Sequence, residues 1–92
     1  MKFMLTWRCK TGLYKTAIRQ YLKTGGPPPK GMKTAARWHV PGSAQGWHLL
    51  EGDDLTALAQ HVAKWADLID IEVNPVIEDA AAGKALSKVF GK

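Results

Sequence analysis

The segment at residues 24–31, TGGPPPKG, restricts the fold of this chain more than any other stretch. Glycine adopts the left-handed backbone that ends a helix, and Gly25 and Gly26 come together at this point. The three prolines that follow cannot continue a helix, and they stiffen the connection as a polyproline II segment. The sequence therefore predicts a helix that ends near residue 25, then an extended connection into a strand.

The spacing of apolar residues along the chain switches between two residues, which is typical of strands, and three or four residues, which is typical of helices. Apolar residues at every second position predict strands over residues 1–7, 32–40, 47–51 and 69–74. Apolar residues spaced by three and four predict three helices, near 14–22, 55–66 and 82–90. Asp53 or Asp54 is placed to cap the second helix, and Pro75 favours a sheet edge for the fourth strand.

The predicted order of elements, βαββαβ plus a terminal helix, defines the fold class. Right-handed crossovers and short loops convert this order into an α+β, ferredoxin-like fold. The fold has a four-stranded antiparallel sheet, order 4-1-3-2, with two helices on one face. A chain of 92 residues is expected to form one domain, residues 1–92, because two cores would each be too small to fold alone. Residues 77–92 form the C-terminal helix.

Charge and composition narrow the function classes. All eight acidic residues follow residue 50, whereas nine of the thirteen basic residues precede them, and the net charge is +5. A basic half raises the question of nucleic acid, but attraction between the two halves, within the fold or across a dimer, explains the pattern better. The single cysteine, Cys9, excludes an internal disulfide and fits a cytoplasmic location. Apolar runs are too short to span a membrane.

The expected pairing of the second and third strands assigns side chains to the sheet faces. If Val40 pairs with Trp47, His39 lies opposite His48, and the indoles of Trp38 and Trp47 point to the helices. The uncovered face would then mix apolar and charged groups, which a second copy of the chain would cover. We therefore predict a homodimer, a dimeric α+β barrel, with the C-terminal helix docked across the partner or along an edge strand. The face would carry Met4, Thr6, Arg37, His39, His48, Leu50, Asp70 and Glu72.

Five segments of the chain are similar to segments of a known family. They are FMLTW at 3–7, TGGPPPKG at 24–31, RWH at 37–39, EGDD at 51–54 and EVNPV at 72–76. The resemblance is to an uncharacterised family, a domain of unknown function within the dimeric α+β-barrel group of ferredoxin-like folds. It covers most of residues 1–79 and implies the fold and dimerisation, but no activity. The wider group includes cofactor-free monooxygenases, haem-degrading enzymes and stress-response proteins, so the fold is a poor guide to chemistry.

A pocket between the sheet and the helices is the candidate site. Aromatic walls with a few convergent polar groups suit a flat apolar ligand, and the tyrosine of the first helix at position 21 would add to them. We predict that the chain binds or senses a small apolar or aromatic molecule, without a cofactor. The residues expected to contact this molecule are Trp7, Tyr14, Arg37, Trp38, Trp47, His48 and Asn74.

Three alternatives stay open. The first is catalysis: His39 has an ordinary imidazole and would be the base of a cofactor-free monooxygenase-like enzyme, as the resemblance to that wider group allows. The second is a nucleic-acid-binding module, since Lys15, Arg19 and Lys23 form a basic stripe on the first helix. The central strands are expected to present no aromatic residues on the open face on which bases could stack, so we rank nucleic-acid binding lower. The third is zinc at the predicted His39–His48 pair, which lacks further ligands, and we predict no metal site.

Overall fold

The computed structural model describes residues 1–91. The sheet is four-stranded and antiparallel in the order β2-β3-β1-β4, which is the predicted order 4-1-3-2 seen from the other edge. This confirms the predicted ferredoxin-like α+β fold, with β4 and its Pro75 at an edge. The elements are β1 (Lys2–Cys9), α1 (Tyr14–Thr24), β2 (Lys33–His39), β3 (Gln45–Glu51), α2 (Leu55–Trp65), β4 (Ile69–Val76) and α3 (Asp79–Phe90).

The glycine–proline segment ends α1 as its sequence predicts. Gly25 is left-handed, with φ 77°, and its N–H donates to the Tyr21 carbonyl oxygen at 2.7 Å. Gly26 is also left-handed, at φ 55°, so two residues in succession adopt a backbone that only glycine takes without strain. After the prolines, the Met32 N–H donates to the Pro29 carbonyl oxygen at 3.0 Å, and the chain enters β2.

Helix α2 begins at the predicted cap. The Asp54 carboxylate accepts a hydrogen bond from the Ala57 backbone N–H at 3.0 Å, which satisfies one of the free donors of the first turn.

Two ion pairs join the basic first half of the sequence to its acidic second half. Lys2 pairs with Glu78 at 2.7 Å and Lys10 with Asp70 at 3.0 Å, each joining a base of the first half to an acid of the second.

The predicted register of the β2–β3 hairpin is wrong. Trp38 pairs with Trp47, and His48 lies opposite Arg37 rather than His39. The cause is the loop: the Val40 N–H donates to the Gln45 carbonyl oxygen at 3.0 Å, so β3 begins two residues earlier than its apolar pattern suggests.

The predicted assignment of side chains to the two faces is right for Met4, Thr6, Asp70 and Glu72, which lie on the open face, but it is wrong for β2 and β3. β1 pairs Leu5 with His48 and Phe3 with Leu50, so these residues share the face that the helices cover. The stretch Trp47–Leu50 is apolar at positions of both parities, and alternation alone could not decide which parity faces inward. As a result Arg37, His39, His48 and Leu50 lie on the covered face, and Trp38 and Trp47 lie on the open one.

The covered face is packed densely at one end only. Its core cluster consists of Phe3, Leu5, Met32, Leu50 and Leu58, in which Leu5 is 1% exposed and Leu50 0%. Ala17 is the only buried residue of α1. The first helix therefore approaches the sheet without filling the space beneath it.

The open face and α3 leave apolar groups uncovered. On the open face Trp38 is 49% exposed and Trp47 39%, and Met4, Ala36 and Leu49 lie beside them. Helix α3 buries none of its residues, and its apolar side chains Leu86, Val89 and Phe90 are exposed. Among residues 1–91, no helix combines the length and apolar character that crossing a bilayer requires.

Candidate functional site

A pocket lies between the covered face of the sheet and the two helices, at the Trp7 end of β1. Its empty volume is about 580 Å³, a figure that includes open solvent at its mouth. Three aromatic side chains line it, together with three imidazoles and one guanidinium. They are Trp7, Tyr21 and Trp65; His39, His48 and His61; and Arg37.

Two glycines create the space that these large side chains occupy. A Cβ at Gly26 would lie 2.8 Å from Tyr21 Cδ1 and 2.9 Å from a terminal nitrogen of Arg37, closer than such atoms approach. A Cβ at Gly46 would overlap the Trp38 carbonyl oxygen and the six-membered ring of Trp7. The glycines therefore allow the indole and the guanidinium to lie against the backbone of the pocket wall.

Arg37 is held by the segment that also ends α1. Its guanidinium donates to the Gly26 carbonyl oxygen at 2.6 Å and to the Gly25 carbonyl oxygen at 3.1 Å. Its central carbon also lies 5.1 Å from the centre of the Tyr21 ring, a cation–π distance. The loop and the helix thus fix the plane of the guanidinium before any ligand arrives.

The imidazoles occupy two environments. His39 meets the Trp7 ring edge-on, at 5.1 Å between ring centres, and lies 5.4 Å from Tyr21, while remaining exposed to solvent. His48 is only 4% exposed, and its Nε2 forms a hydrogen bond of 2.8 Å with the Thr34 hydroxyl. The His61 ring lies 6.3 Å from that of His48.

Burial keeps the two inner imidazoles neutral. Burial, then Arg37, then His61 lower the pKa of His48 to about 4. The pKa of His61 is lowered by burial first, and then by Lys64 and Arg37. Both rings are therefore uncharged near pH 7, and each keeps donor and acceptor capacity. Burial also raises the pKa of the Cys9 thiol in the same wall, so that thiol stays protonated.

One donor in the pocket wall has no acceptor. Among the residues that the structure describes, the buried indole Nε1–H of Trp7 has no hydrogen-bond partner. Leaving a buried donor unsatisfied costs about 1–3 kcal/mol. Such a group favours any bound molecule that brings an acceptor to it.

The comparison with known families concerns nearly the whole chain. A family model described as a domain of unknown function, DUF3303, matches residues 1–90. The chain belongs to the DUF3303 family. The predicted resemblance to an uncharacterised domain family is thereby confirmed, and the match carries no activity. No curated protein and no solved structure matches the chain.

The structure brings some of the predicted site residues of this DUF3303 chain together and separates others. Trp7, Arg37, His39 and His48 line one pocket, with Tyr21. Trp38 and Trp47 lie on the opposite face of the sheet because His48 and Leu50, rather than Trp47 and Leu49, share the covered face with Leu5 and Phe3. Tyr14 is 52% exposed on α1 and does not line the pocket. Asn74 lies on the open face, where its amide donates to the Glu72 carboxylate at 3.2 Å.

Among the histidines and tryptophans that line the pocket of this DUF3303 chain, the sequence prediction does not include His61 and Trp65. Yet His61 is four residues before Trp65 and three after Leu58, so all three lie on one side of α2. That spacing was the available signal.

The alternative sites have less structural basis. Within residues 1–91 no group of three or more histidine, cysteine and acidic side chains could hold a metal ion. The His39–His48 pair on which the zinc alternative depended does not form, because Arg37 stands opposite His48. The basic stripe Lys15, Arg19 and Lys23 is exposed on α1.

Proposed function

We propose that the chain binds a small, flat aromatic molecule in the pocket and acts as a homodimer joined through the open sheet face. The pocket is the observation that carries the binding role. The pocket is enclosed by the sheet and by both helices and opens to solvent at its mouth, so the chemistry of its lining rather than its size supports the binding role. Its walls are mostly apolar and aromatic, with few polar groups, which is the composition such sites use.

The geometry of the aromatic walls favours a flat ligand. Trp7, Tyr21 and Trp65 come from three different elements and surround the space below α1. Aromatic pairs gain about 0.5–1.5 kcal/mol beyond their buried area when rings stack with an offset or meet edge to face. A planar ring system can make such contacts with more than one wall, whereas an aliphatic chain cannot.

The open face supports self-association. Met4, Ala36, Trp38, Trp47 and Leu49 form an apolar patch, and patches of this kind on monomers usually mark interfaces. The surrounding charges balance, which suits an identical face related by a two-fold axis better than a polyanion such as nucleic acid. These charges are Lys2, Arg8 and Lys33 against Glu51, Asp70 and Glu72. The exposed apolar stripe of α3 would dock on the partner subunit.

The binding role is tested by filling the pocket. Ala17 lines it, and Ala17→Leu adds volume without removing a polar group. We expect naphthalene-2-carboxamide to quench the tryptophan fluorescence of the wild type with saturation, and Ala17→Leu to weaken this binding at least tenfold. Ala59→Leu, at an exposed position of α2, is the matched control and should bind as the wild type does. Equal binding by both variants would remove the pocket from the proposal.

The dimer is tested by sedimentation equilibrium over a concentration series from 1 to 100 µM, a range chosen around usual dimer affinities. We expect a reversible shift towards twice the chain mass of 10.1 kDa as concentration rises. A single species of 10.1 kDa across the whole series would contradict the dimer and leave the pocket proposal untouched.

A second function, catalysis by His39, is favoured by one observation. Of the three imidazoles in the wall, His39 is the exposed one, so it can pass a proton between a bound molecule and solvent. An activated methylene carbon would lose a proton to His39 and react with O2. The carbon becomes a carbonyl with one oxygen atom, and the other oxygen leaves as water with the two hydrogens removed.

Anthrone is a suitable probe for this reaction, since its methylene oxidises to the carbonyl of anthraquinone with one O2 consumed. We expect the protein to accelerate O2 uptake above the rate in buffer, and His39→Ala to abolish the acceleration. Anthrone oxidation at equal rates by wild type and His39→Ala would exclude His39 as the base.

A further inference from the structure

We propose that the molecule bound in this pocket carries an anionic carboxylate, and that Arg37 is the residue that binds it. This inference depends on the proposed ligand pocket and adds the charge of the ligand to it. The argument rests on three features of the wall: its charge, the unused donors of Arg37, and the unpaired indole N–H of Trp7.

The first feature is a positive charge without a counter-ion. No aspartate or glutamate is among the residues that line the pocket. The ion pairs that the structure records within residues 1–91 lie elsewhere, at Met1–Asp53, Lys2–Glu78 and Lys10–Asp70. Arg37 therefore contributes a full positive charge to the wall, balanced by the dipoles of two carbonyl groups and by the face of the Tyr21 ring rather than by an anion. A partly enclosed cation of this kind favours a ligand of opposite sign.

The second feature is the set of donors that Arg37 still offers. A guanidinium has five N–H groups, and the Gly25 and Gly26 carbonyls take two of them. Three remain, in a plane already fixed by the loop and by the Tyr21 ring. A planar fork of donors matches the two oxygens of a carboxylate, which gives short, charge-assisted hydrogen bonds.

The third feature is the donor character of the remaining polar groups. The Trp7 indole N–H is buried without an acceptor in the described part of the chain, and it can only donate. His39 and His61 add ring nitrogens to the same wall, whereas the Nε2 of His48 is already engaged by Thr34. A carboxylate brings only acceptors, so it complements this wall. An ammonium group, which has donors and no acceptor, would leave the indole unpaired and would be repelled by Arg37.

The flat ring and the charged group are thus recognised by different parts of one site. The aromatic walls hold the ring, and the carboxylate meets Arg37 where the wall joins the glycine segment. We therefore infer an aromatic carboxylate as the ligand class, with the neutral aromatic amide of the same shape as a weaker ligand.

The experiment compares two probes of nearly equal shape, naphthalene-2-carboxylate and naphthalene-2-carboxamide, by titration calorimetry at pH 7.5 in 0.15 M salt. We expect the carboxylate to bind the wild type at least tenfold more tightly than the carboxamide. In Arg37→Gln this ratio should fall to about one, because the carboxylate loses its charged partner and the two probes then differ little in what they offer to the wall. Arg19→Gln, the same substitution on the exposed face of α1, should keep the wild-type ratio.

The outcomes separate this inference from the pocket proposal. If the carboxamide binds and the carboxylate binds no more tightly, the charge inference fails and the pocket remains. If the tenfold preference survives in Arg37→Gln, the carboxylate is bound by another group and Arg37 is wrongly assigned. If neither probe binds the wild type, the pocket proposal itself fails. If circular dichroism shows that Arg37→Gln does not fold, Arg37→Lys takes its place. This variant keeps the positive charge but loses the planar pair of donors. A carboxylate-to-carboxamide affinity ratio unchanged from the wild type would then contradict bidentate binding by Arg37.

Discussion

The two faces of the sheet differ in a way that departs in part from the usual expectation for a single subunit. Beside its apolar core, the face that the helices cover carries Arg37, His39 and His48 around a partly empty pocket, which His61 enters from α2. The face without a cover carries Trp38, Trp47 and Leu49. Burying apolar groups and exposing polar ones is the ordinary rule for sheet faces, and each face here departs from it at these positions.

The difference suits the two faces to the two different partners that we propose. Polar groups beneath a helix layer are expensive unless something satisfies them, and a small molecule can reach them there. Large apolar groups on a bare sheet are best covered by another protein surface. The covered face is therefore the candidate for a ligand, and the open face for a second subunit. The predictions below test this division, beginning with the largest effect.

Neighbouring leucines on opposite faces provide the sharpest test. Leu50 is 0% exposed in the core cluster, whereas Leu49 points to the open face and is half-buried. We expect Leu50→Ala to lower the free energy of unfolding by about 2–5 kcal/mol because it leaves a cavity. Leu49→Ala should cost about 1 kcal/mol or less in a dilute monomer. Urea unfolding at low micromolar concentration measures both, and a larger cost at Leu49 would mean that the two faces are exchanged.

The second prediction concerns pH and the covered face. The pKa of His48 is about 4 in the folded chain and near 6.5 in the unfolded chain. Between these values the unfolded state binds the proton and the folded state does not, so stability falls as pH falls. The contribution is complete above pH 7, and about 3 kcal/mol at most is lost on acidification to pH 4.

His61 contributes in the same direction, since burial and the charges of Lys64 and Arg37 also lower its pKa. His48→Gln should flatten the pH dependence of the unfolding free energy between pH 4.5 and 7.5 by more than half. His39→Gln is the matched control at an exposed ring. If both variants keep the wild-type slope, His48 does not face a buried, positively charged environment.

The fold could be predicted from the sequence because its signals are local and agree with one another. Gly25 and the prolines end α1, Asp54 caps α2, and Pro75 stands in an edge strand, each for a reason contained within a few residues. The element order then leaves few topologies. Stretches with a clear repeat and a clear stop therefore appear where the sequence places them.

The candidate site could be predicted only in part because it depends on which face of β2 and β3 the helices cover. Residues 47–50 are apolar at positions of both parities, so alternation does not decide which face is buried, and the two-residue shift of the hairpin changes the cross-strand partners but not the face of any side chain. Trp7, Arg37, His39 and His48 are predicted site residues by their chemistry, but the predicted face assignment put Arg37, His39 and His48 on the uncovered face. His61 entered the pocket from α2, and no pairing rule within the sheet points to it.

The third prediction tests the open face directly. Trp47 lies near the middle of the apolar patch, and central tryptophans are common hot spots of interfaces. We expect Trp47→Ala to weaken the dimer by about 2 kcal/mol, roughly 30-fold in its dissociation constant. Leu22→Ala removes a side chain that is 72% exposed on α1, and it should leave the dissociation constant unchanged. Sedimentation equilibrium compares the two, and equal effects would show that this patch is not the interface.

The smallest effect concerns α3, the helix that buries nothing within its own chain. A Cβ at Gly83 would meet no atom within 4 Å, and glycine inside a helix costs roughly 0.5–1 kcal/mol relative to alanine. Gly83→Ala should therefore pre-form α3 and, if this helix docks on the partner subunit, tighten the dimer about two- to fivefold. The same substitution in a Trp47→Ala background should give the helical signal in circular dichroism without restoring the dimer. A rise in helix content with no change in the wild-type dissociation constant would mean that α3 does not cover the open face, and that the patch around Trp47 is buried by the partner's sheet alone.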